Sequence, residues 1–220
     1  MKFNKQSLEE QVTDFLREKI VSGNMSQGEK ITESTLAKEL DLSRSTVRMA
    51  LNSLSHEGLV VSKPYAGWQV ISIDENDLWE LYNLRVALES QSAAMAAQQA
   101  TDKCKAELQA LLKEHYRLCE ESPDDIMAIT EADFNLHSRI VEASNSPRME
   151  KFYLQIANQL KTYLCMTHID YDLSQSAATH QNLVDAIVAG DADKAMEAAK
   201  ANITSFNELC AMLQNRVAGD

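Results

Sequence analysis

Apolar side chains recur at helical spacing through the first 58 residues, and the pattern then changes to short β-type runs. Helices are predicted over residues 7–22, 32–40 and 43–58. The runs LVVS and WQVISI follow, joined by KPYAG, whose proline and glycine favour a turn. The segment GNMSQGEK, between the first two helices, is predicted to be a loop. The order of three helices and a hairpin is that of a winged helix-turn-helix.

After residue 73 the apolar spacing is helical throughout and no strand pattern occurs. Six helices are predicted, over residues 74–100, 101–121, 124–144, 147–169, 176–190 and 191–215. We therefore expect a mainly α protein with two domains. Residues 1–73 form the winged helix-turn-helix, and residues 74–220 form an all-α six-helix bundle.

Composition supports this interpretation and excludes several classes. Glycine (6) and proline (3) are scarce in the 220 residues, which favours helices. No apolar run is long enough to span a membrane and the first residues lack the apolar core of a signal peptide, so we expect a cytoplasmic protein without a membrane partner. The four cysteines are widely spaced, which fits reduced thiols better than a disulfide or zinc framework.

Charge is distributed unevenly between the two predicted domains. Residues 1–73 carry nine basic and nine acidic side chains, whereas residues 74–220 carry 12 basic and 24 acidic ones and so hold the whole net charge of −12. Between residues 43 and 63 the balance is locally positive. Contact with phosphate is therefore expected at the front of the chain.

The third predicted helix has the features of a recognition helix. Its inward positions are Val47, Leu51 and Leu54, and its opposite face carries Arg44, Ser45, Arg48 and Asn52. Arginine can read guanine with two hydrogen bonds, and short hydroxyl side chains reach phosphates or base edges. A solvated helix face would show the same residues. The capped helix after a tight turn, followed by a wing, favours DNA binding.

The run ITESTLAKELDLSRSTVRMALNSLSHEGLVVSKPYAGWQVISI resembles the DNA-binding domain of the GntR family. That family shows L-x-E-x-x-L-A-x-x-L-G-V-S-R-x-P-V-R-x-A-L-x-x-L-x-x-E-G-L-V followed by a wing. The chain departs from this pattern at Asp41, where glycine is usual, and at Thr46, where proline is common. The resemblance implies that the wing tip around Gly67 approaches the minor groove. It also implies DNA contacts by Ser43, Arg44, Ser45, Thr46 and Arg48.

The second domain resembles the FCD effector domain of the FadR-type branch of that family. The opening helix contains Leu84-Arg85-Val86-Ala87-Leu88-Glu89, similar to the L-R-x-x-L-E pattern with which FCD domains begin. Six helices rather than seven would place the chain in the VanR-like subgroup. The run DFNLHSRIVEASNSP is similar to the FCD metal motif D-x-x-F-H-x-x-I-x-x-A-S-G-N-P.

Asp133 and His137 lie four residues apart within an apolar pattern, so they share one helix face and can converge on an ion. A hydrogen-bonded core histidine is the commoner outcome of such spacing. The resemblance adds His180 as a further ligand, and it places Asn202 where the family has a fourth, histidine ligand. We expect a weakened or three-ligand site for zinc or nickel. The alternative is a metal-free polar pocket in which Asn202 and His180 bind an effector directly.

Arg85 falls in the inward stripe of the fourth helix, on one face with Tyr82 and Glu89. It either forms a buried ion pair with a glutamate or offers its guanidinium to a carboxylate effector. The resemblance favours the second interpretation, because FCD domains often sense small organic acids. We therefore expect Arg85, Tyr82, Glu89 and Asn202 to line the effector site.

Together these features predict a transcription factor, a repressor, and not an enzyme. A homodimer would bind an inverted repeat in double-stranded DNA, with one recognition helix per half-site. A small carboxylic acid bound in the helical domain would change operator affinity by shifting the placement of the two winged domains. One alternative is a metal-free sensor with the same DNA-binding role. The other is a metal-dependent enzyme that uses Asp133, His137 and His180, although no separate nucleophile or general base is evident.

Overall fold

The computed structural model describes the backbone of residues 6–72, 74–168 and 173–203, and the side chains of these residues except 163 and 165–168. It divides into two compact units, Met1–Ile73 with Asn158–Tyr163, and Asp74–Ala157 with Leu164–Asp220. The elements of the first unit's N-terminal part are α1 (Leu8–Val21), β1 (Lys30–Ile31), α2 (Glu33–Glu39), α3 (Arg44–His56), β2 (Val60–Lys63) and β3 (Gly67–Val70).

Helix α1 begins with a capping box, in which the Ser7 side chain accepts a hydrogen bond from the Glu10 amide and Glu10 bonds back to Ser7. Helix α3 packs against both α1 and α2. Val47, Leu51 and Leu54 are fully buried in the core of this unit, as their spacing predicts. The three helices therefore form one small core.

A three-stranded antiparallel sheet in the order β1-β3-β2 completes this unit. The hairpin pairs Val60 with Val70 and Lys63 with Gly67, and β1 pairs Ile31 with Trp68 on the other edge of β3. The sequence predicted the hairpin, but it placed Lys30, the last residue of GNMSQGEK, in a loop rather than in strand β1. A strand of two residues has too few positions to show alternation, so only its pairing with β3 reveals it.

The second unit is helical over its described residues. Its elements are α4 (Glu75–Gln99), α5 (Asp102–Glu121), α6 (Ile126–Ala143), α7 (Pro147–His168, except Asn158–Tyr163, which are counted with the first unit), 3-10 turns at Leu173–Gln175 and Ala177–His180, α8 (Gln181–Ala189) and α9 (Ala192–Asn202). Gly190, with φ of 79°, ends α8 in a left-handed C-cap, and Asp191 then caps α9.

Helix α4 lies at the centre of this packing, against α6, α8 and α9. Small residues on α4 and α9, such as Ala93, Ala96 and Ala199, are buried where the helices approach closely. The fold prediction is confirmed: the chain is mainly helical, with an N-terminal winged helix-turn-helix followed by a bundle. Six α-helices fall between residues 75 and 202, and the predicted extension of the last helix to residue 215 lies outside the described residues. Within the described chain, no helix combines the length and apolarity needed to cross a membrane.

Candidate functional site

The N-terminus of α3 presents a polar surface. Ser43, Arg44, Ser45 and Arg48 are exposed there and Thr46 is half-buried, while Val47 on the opposite face is fully buried. The Ser43 hydroxyl caps the helix by accepting the Thr46 amide at 3.1 Å, and it shares hydrogen bonds with the hydroxyls of Ser45 (2.7 Å) and Thr46 (2.8 Å). A cluster of hydroxyls at a helix N-terminus, the positive end of the helix dipole, suits phosphate binding.

The wing tip is built on two positive φ angles. Gly67 has φ of 88°, and a Cβ at this position would lie 2.9 Å from the backbone oxygen of Ile31, so glycine is required there. Tyr65, with φ of 62°, is fully exposed at the tip. Asp41, in the turn before α3, also has a positive φ, 53°, which explains why the GntR pattern has glycine there.

In the helical unit, Asp133 and His137 meet His180. The first two lie one turn apart on α6, and His180 ends the second 3-10 turn. Nε2 of His180 lies 2.9 Å from Asp133 Oδ1 and 3.1 Å from His137 Nε2, and all three residues are at least 96% buried. One potential ligand atom from each residue lies within 4.8 Å of the others. The structure thus brings together the three residues expected to hold a metal.

The outer contacts of the two histidines decide which nitrogen faces this centre. His180 Nδ1 lies 3.0 Å from the backbone oxygen of Ser176, which can only accept, so Nδ1 carries the proton in the neutral ring. His137 Nδ1 faces the Glu89 carboxylate at 2.9 Å, which assigns its proton in the same way. Both Nε2 atoms then direct lone pairs at each other, and the lone pair of His180 Nε2 also faces Asp133.

A lone pair on His180 Nε2 cannot lie about 3 Å from both a carboxylate oxygen and a second imidazole lone pair in a buried site without a positive charge between them. Either an added proton or a cation must be present. Ligands bound at about 2.0–2.2 Å to one ion lie roughly 3–3.5 Å from one another, which is close to the two distances measured from His180 Nε2. Asp133 Oδ2 also makes no hydrogen bond among the described residues. The residues therefore fit a divalent transition metal, and imidazole with carboxylate suits zinc or nickel.

Glu89 and Arg85, on α4, form a second layer. Glu89 Oε1 accepts hydrogen bonds from Arg85 Nε and from the Tyr153 hydroxyl, both at 2.9 Å, while Arg85 Nη2 lies 3.9 Å from Asp133 Oδ2. Arg85 is 5% exposed and Glu89 2%. The buried Arg85–Glu89 ion pair, one of the two interpretations of the sequence, is thus present.

Burial and charge act in opposite directions on this network. Burial opposes ionisation of Glu89, but Arg85 and His137 outweigh it and lower the pKa to about 2. For Asp133, burial is outweighed by His180 first, and the pKa lies well below its ordinary value. Burial also lowers the pKa of His137, yet the adjacent Glu89 carboxylate raises it above the ordinary value. The Glu89 carboxylate therefore favours a proton on His137 when no metal is bound.

The hydrogen bond made by Asn202 does not place its side chain against the ligand atoms of Asp133, His137 and His180. Its amide nitrogen donates to the Thr179 hydroxyl at 2.9 Å, and that hydroxyl lies 3.2 Å from His180 Nδ1. Nδ1 is the side of the ring that points away from Asp133. A role for Asn202 as a substitute fourth ligand therefore gains no support, because its amide lies on the Nδ1 side of His180 and contacts that ring through Thr179. Tyr82, half-buried on α4, stays a predicted effector contact.

Three residues of this network were not identified from the sequence. Tyr153 and Ser176 hold Glu89 and His180, and His115, fully buried on α5, lies with its ring centroid 5.1 Å from that of His180. Ser176 Oγ is 3.2 Å from His115 Nε2. These contacts join segments more than 40 residues apart, or residues within a 3-10 turn. Residue spacing along a single helix cannot predict either kind of contact.

Comparison with known proteins agrees with both units. The profile of the gntR family of bacterial regulatory proteins matches residues 8–70, and the FCD domain profile matches residues 80–205. A probable D-xylose utilization operon transcriptional repressor of Paenarthrobacter nicotinovorans is 27% identical over 89% of this chain and 85% of its own. The Nta operon transcriptional regulator of Aminobacter aminovorans is 32% identical over 64% of this chain and 66% of its own.

Solved structures share the fold. E. coli McbR/YncC superimposes with a TM-score of 0.72 at 22% identity, covering 97% of both chains. A transcriptional regulator GntR from Rhodococcus sp. RHA1 gives 0.71 at 24% identity, covering 95% of this chain and 99% of its own. At these identities the likeness concerns the fold alone.

Proposed function

Since the chain belongs to the GntR family of bacterial regulatory proteins and carries an FCD domain, we propose that it is a ligand-responsive transcriptional repressor. Residues 1–73 bind an inverted-repeat operator and residues 74–220 bind the effector and form the homodimer. The observation that carries the DNA-binding role is the exposed row of hydroxyl and arginine side chains at the N-terminus of α3. Six α-helices in the described part of the FCD domain support the VanR-like subgroup.

The test of DNA binding is selection of duplexes from a random pool by the full-length chain. We expect an inverted repeat to be enriched, and a gel shift with that duplex to show one dimer per site. Sizing of the free protein and of the complex measures the stoichiometry. Enrichment of no sequence over the starting pool would overturn the proposal. The proposal would also be overturned if the protein turned over a substrate and showed no binding to DNA.

We infer further that the effector site is the buried cluster, and that Asp133, His137 and His180 hold a zinc or nickel ion. The two carboxylates of Asp133 and Glu89 face one guanidinium, Arg85, so the cluster keeps one negative charge when both imidazoles are neutral. Bound metal would supply two positive charges and open coordination positions for a carboxylate. The chain's residues orient the imidazoles, and Arg85 holds the acidic groups ionised. A small organic acid is the class of effector that this charge balance favours.

Elemental analysis of protein purified without a histidine tag tests the metal. Thermal-shift measurements with mono-, di- and tricarboxylic acids, each with and without zinc or nickel, test the effector. We expect stabilisation by the acid to depend on the metal, since binding to the native state raises the melting temperature. Absence of bound metal even after soaking would instead favour the metal-free sensor, with His180 contacting the acid directly.

A further inference from the structure

Glu33, the first residue of α2, lies against the recognition helix. Its carboxylate accepts two hydrogen bonds from Arg48, from Nε at 2.8 Å and from Nη2 at 2.7 Å. Arg44 Nη2 lies 3.5 Å from the same carboxylate, and the Trp68 indole nitrogen donates to it at 3.3 Å. One side chain of α2 therefore contacts the recognition helix twice and strand β3 once.

The geometry of the guanidinium shows what this contact leaves free. Arg48 uses the edge formed by Nε and Nη2 for Glu33, while a guanidinium has five N–H groups in a planar fork. The end-on edge, formed by Nη1 and the second hydrogen of Nη2, is not used by Glu33. The Arg48 side chain is 57% exposed, so that edge is open to a ligand. It is the edge that can reach guanine O6 and N7 together.

The charge of Glu33 makes the contact informative. The hydrogen bonds from Arg48, with help from Trp68 and Arg44, lower the pKa of Glu33 to about 2, so the carboxylate is ionised at any pH used for DNA binding. A negative charge beside the recognition helix repels phosphate and weakens attraction to every DNA sequence alike. Any benefit of Glu33 to DNA recognition must therefore come from something other than general affinity. A guanidinium fixed in one orientation loses less conformational freedom on binding and tolerates fewer base arrangements.

Resting on the proposed DNA-binding function, we propose that Glu33 is a positioning residue that sets sequence specificity by holding the Arg48 fork in its reading orientation. It trades general affinity for discrimination between operator and other DNA. Through Trp68 it also ties the recognition helix to the strand that follows the wing tip. A merely structural ion pair on a solvated face would affect folding but not the ratio of the two affinities.

The experiment compares Glu33→Gln with the full-length wild type on the selected operator and on a scrambled duplex of equal length, over a range of salt. Glutamine keeps the shape but loses the charge, so Arg48 is no longer held at both oxygens. We expect the ratio of operator to scrambled affinity to fall roughly 5- to 150-fold, the discrimination that a bidentate base contact provides. Affinity for the scrambled duplex should stay equal or rise.

Glu39→Gln is the matched control, because it removes an equal charge from the exposed end of the same helix α2. It should change both affinities alike and leave their ratio as in the wild type. Arg48→Lys keeps the charge without the fork and should lower the ratio as Glu33→Gln does. In the Arg48→Lys background, Glu33→Gln should have no further effect on the ratio.

The outcomes separate the two proposals. If the wild type selects no operator, the DNA-binding function itself fails. If it selects one and Glu33→Gln keeps the wild-type ratio, or lowers it equally with and without Arg48, the positioning role is overturned. Melting curves without DNA establish that each variant is folded. Should Glu33→Gln be unfolded at the assay temperature, Arg48→Lys still tests the proposal, because an unchanged ratio there would refute the role of the fork that Glu33 is proposed to hold.

Discussion

Replacing Glu89 with glutamine removes a buried charge on which three groups converge. Arg85 and Tyr153 donate to Glu89 Oε1, and His137 Nδ1 faces Oε2. The amide keeps the volume and can still accept from Tyr153. It cannot neutralise Arg85, whose other acidic contact, Asp133, lies 3.9 Å away. The variant therefore leaves a guanidinium that is 5% exposed with a weakened counter-charge.

The expected magnitude follows from the burial of both partners. Breaking a buried ion pair by removing one partner costs about 3–5 kcal/mol, mostly because the remaining charge stays desolvated. For a chain of this size each kcal/mol lowers the melting temperature by about 2–4 °C, so we expect a loss of roughly 6–20 °C. Because Glu89 also orients His137, the affinity for zinc should fall about 10- to 100-fold.

Calorimetric melting of metal-free protein measures the first effect, and competition with a chromophoric chelator measures the second. Glu107→Gln is the control: Glu107 accepts from Arg139 Nε at 3.1 Å within the same unit, but its side chain is 39% exposed. An exposed pair of this kind contributes little, so the control should melt with the wild type. If Glu89→Gln melted together with Glu107→Gln and bound zinc normally, the reasoning about this network would be refuted.

Three other outcomes are expected. In a gel shift, Arg48→Ala should bind the operator no more tightly than scrambled DNA. The melting temperature should stay unchanged, because the Arg48 side chain is 57% exposed. Retained operator affinity would contradict the assignment of α3 as the recognition helix. Gly67→Ala should lower the free energy of unfolding by about 1–3 kcal/mol, because φ is 88° and the new Cβ would lie 2.9 Å from a backbone oxygen. Gly23→Ala is the control, since φ is 75° but no atom lies near, and it should destabilise less. Equal losses in the two variants would contradict the proposed clash at Gly67. Zinc affinity should fall about tenfold per pH unit once the pH is below the raised pKa of His137, because the metal must displace that proton; a flat titration profile would contradict the assignment of His137 as a ligand.

The first unit was largely predictable because its signals are local. Ser7 and Ser43 cap α1 and α3 at the first residues of the ranges predicted for these helices, and the buried stripe of α3 follows from spacing alone. The two-residue strand β1 was missed, since its pairing with β3 is a tertiary contact. The Glu33 network was missed for the same reason. Glu33 stands at the glutamate of the GntR pattern L-x-E, but the pattern does not show its partners, which lie 15 and 35 residues away.

The candidate metal site divides along the same line. The spacing of Asp133 and His137 places them on one helix face, and the structure has them there. His180 came from resemblance, and its approach to Asp133 depends on how the 3-10 turns pack against α5. The tautomer of His180, which decides its chemistry, rests on the Ser176 backbone oxygen. No side-chain pattern in the sequence could show that contact, because the partner is a main-chain atom.

The buried cluster is difficult to explain by stability alone. Replacing a buried ion network with apolar residues of equal volume is often neutral or stabilising, so Asp133, Glu89 and Arg85 bring little net folding energy. They do leave one negative charge beside two imidazole lone pairs, which an added proton or a cation must balance. A cation with two charges over-compensates by one, and a carboxylate restores neutrality. Metal and acid would then favour each other's binding by equal factors, because coupling between two sites is reciprocal. We therefore expect the acid to raise the zinc affinity and zinc to raise the acid affinity, and a coupling factor of one, with each binding as tightly alone as with the other, would mean that acid and metal do not meet at this site.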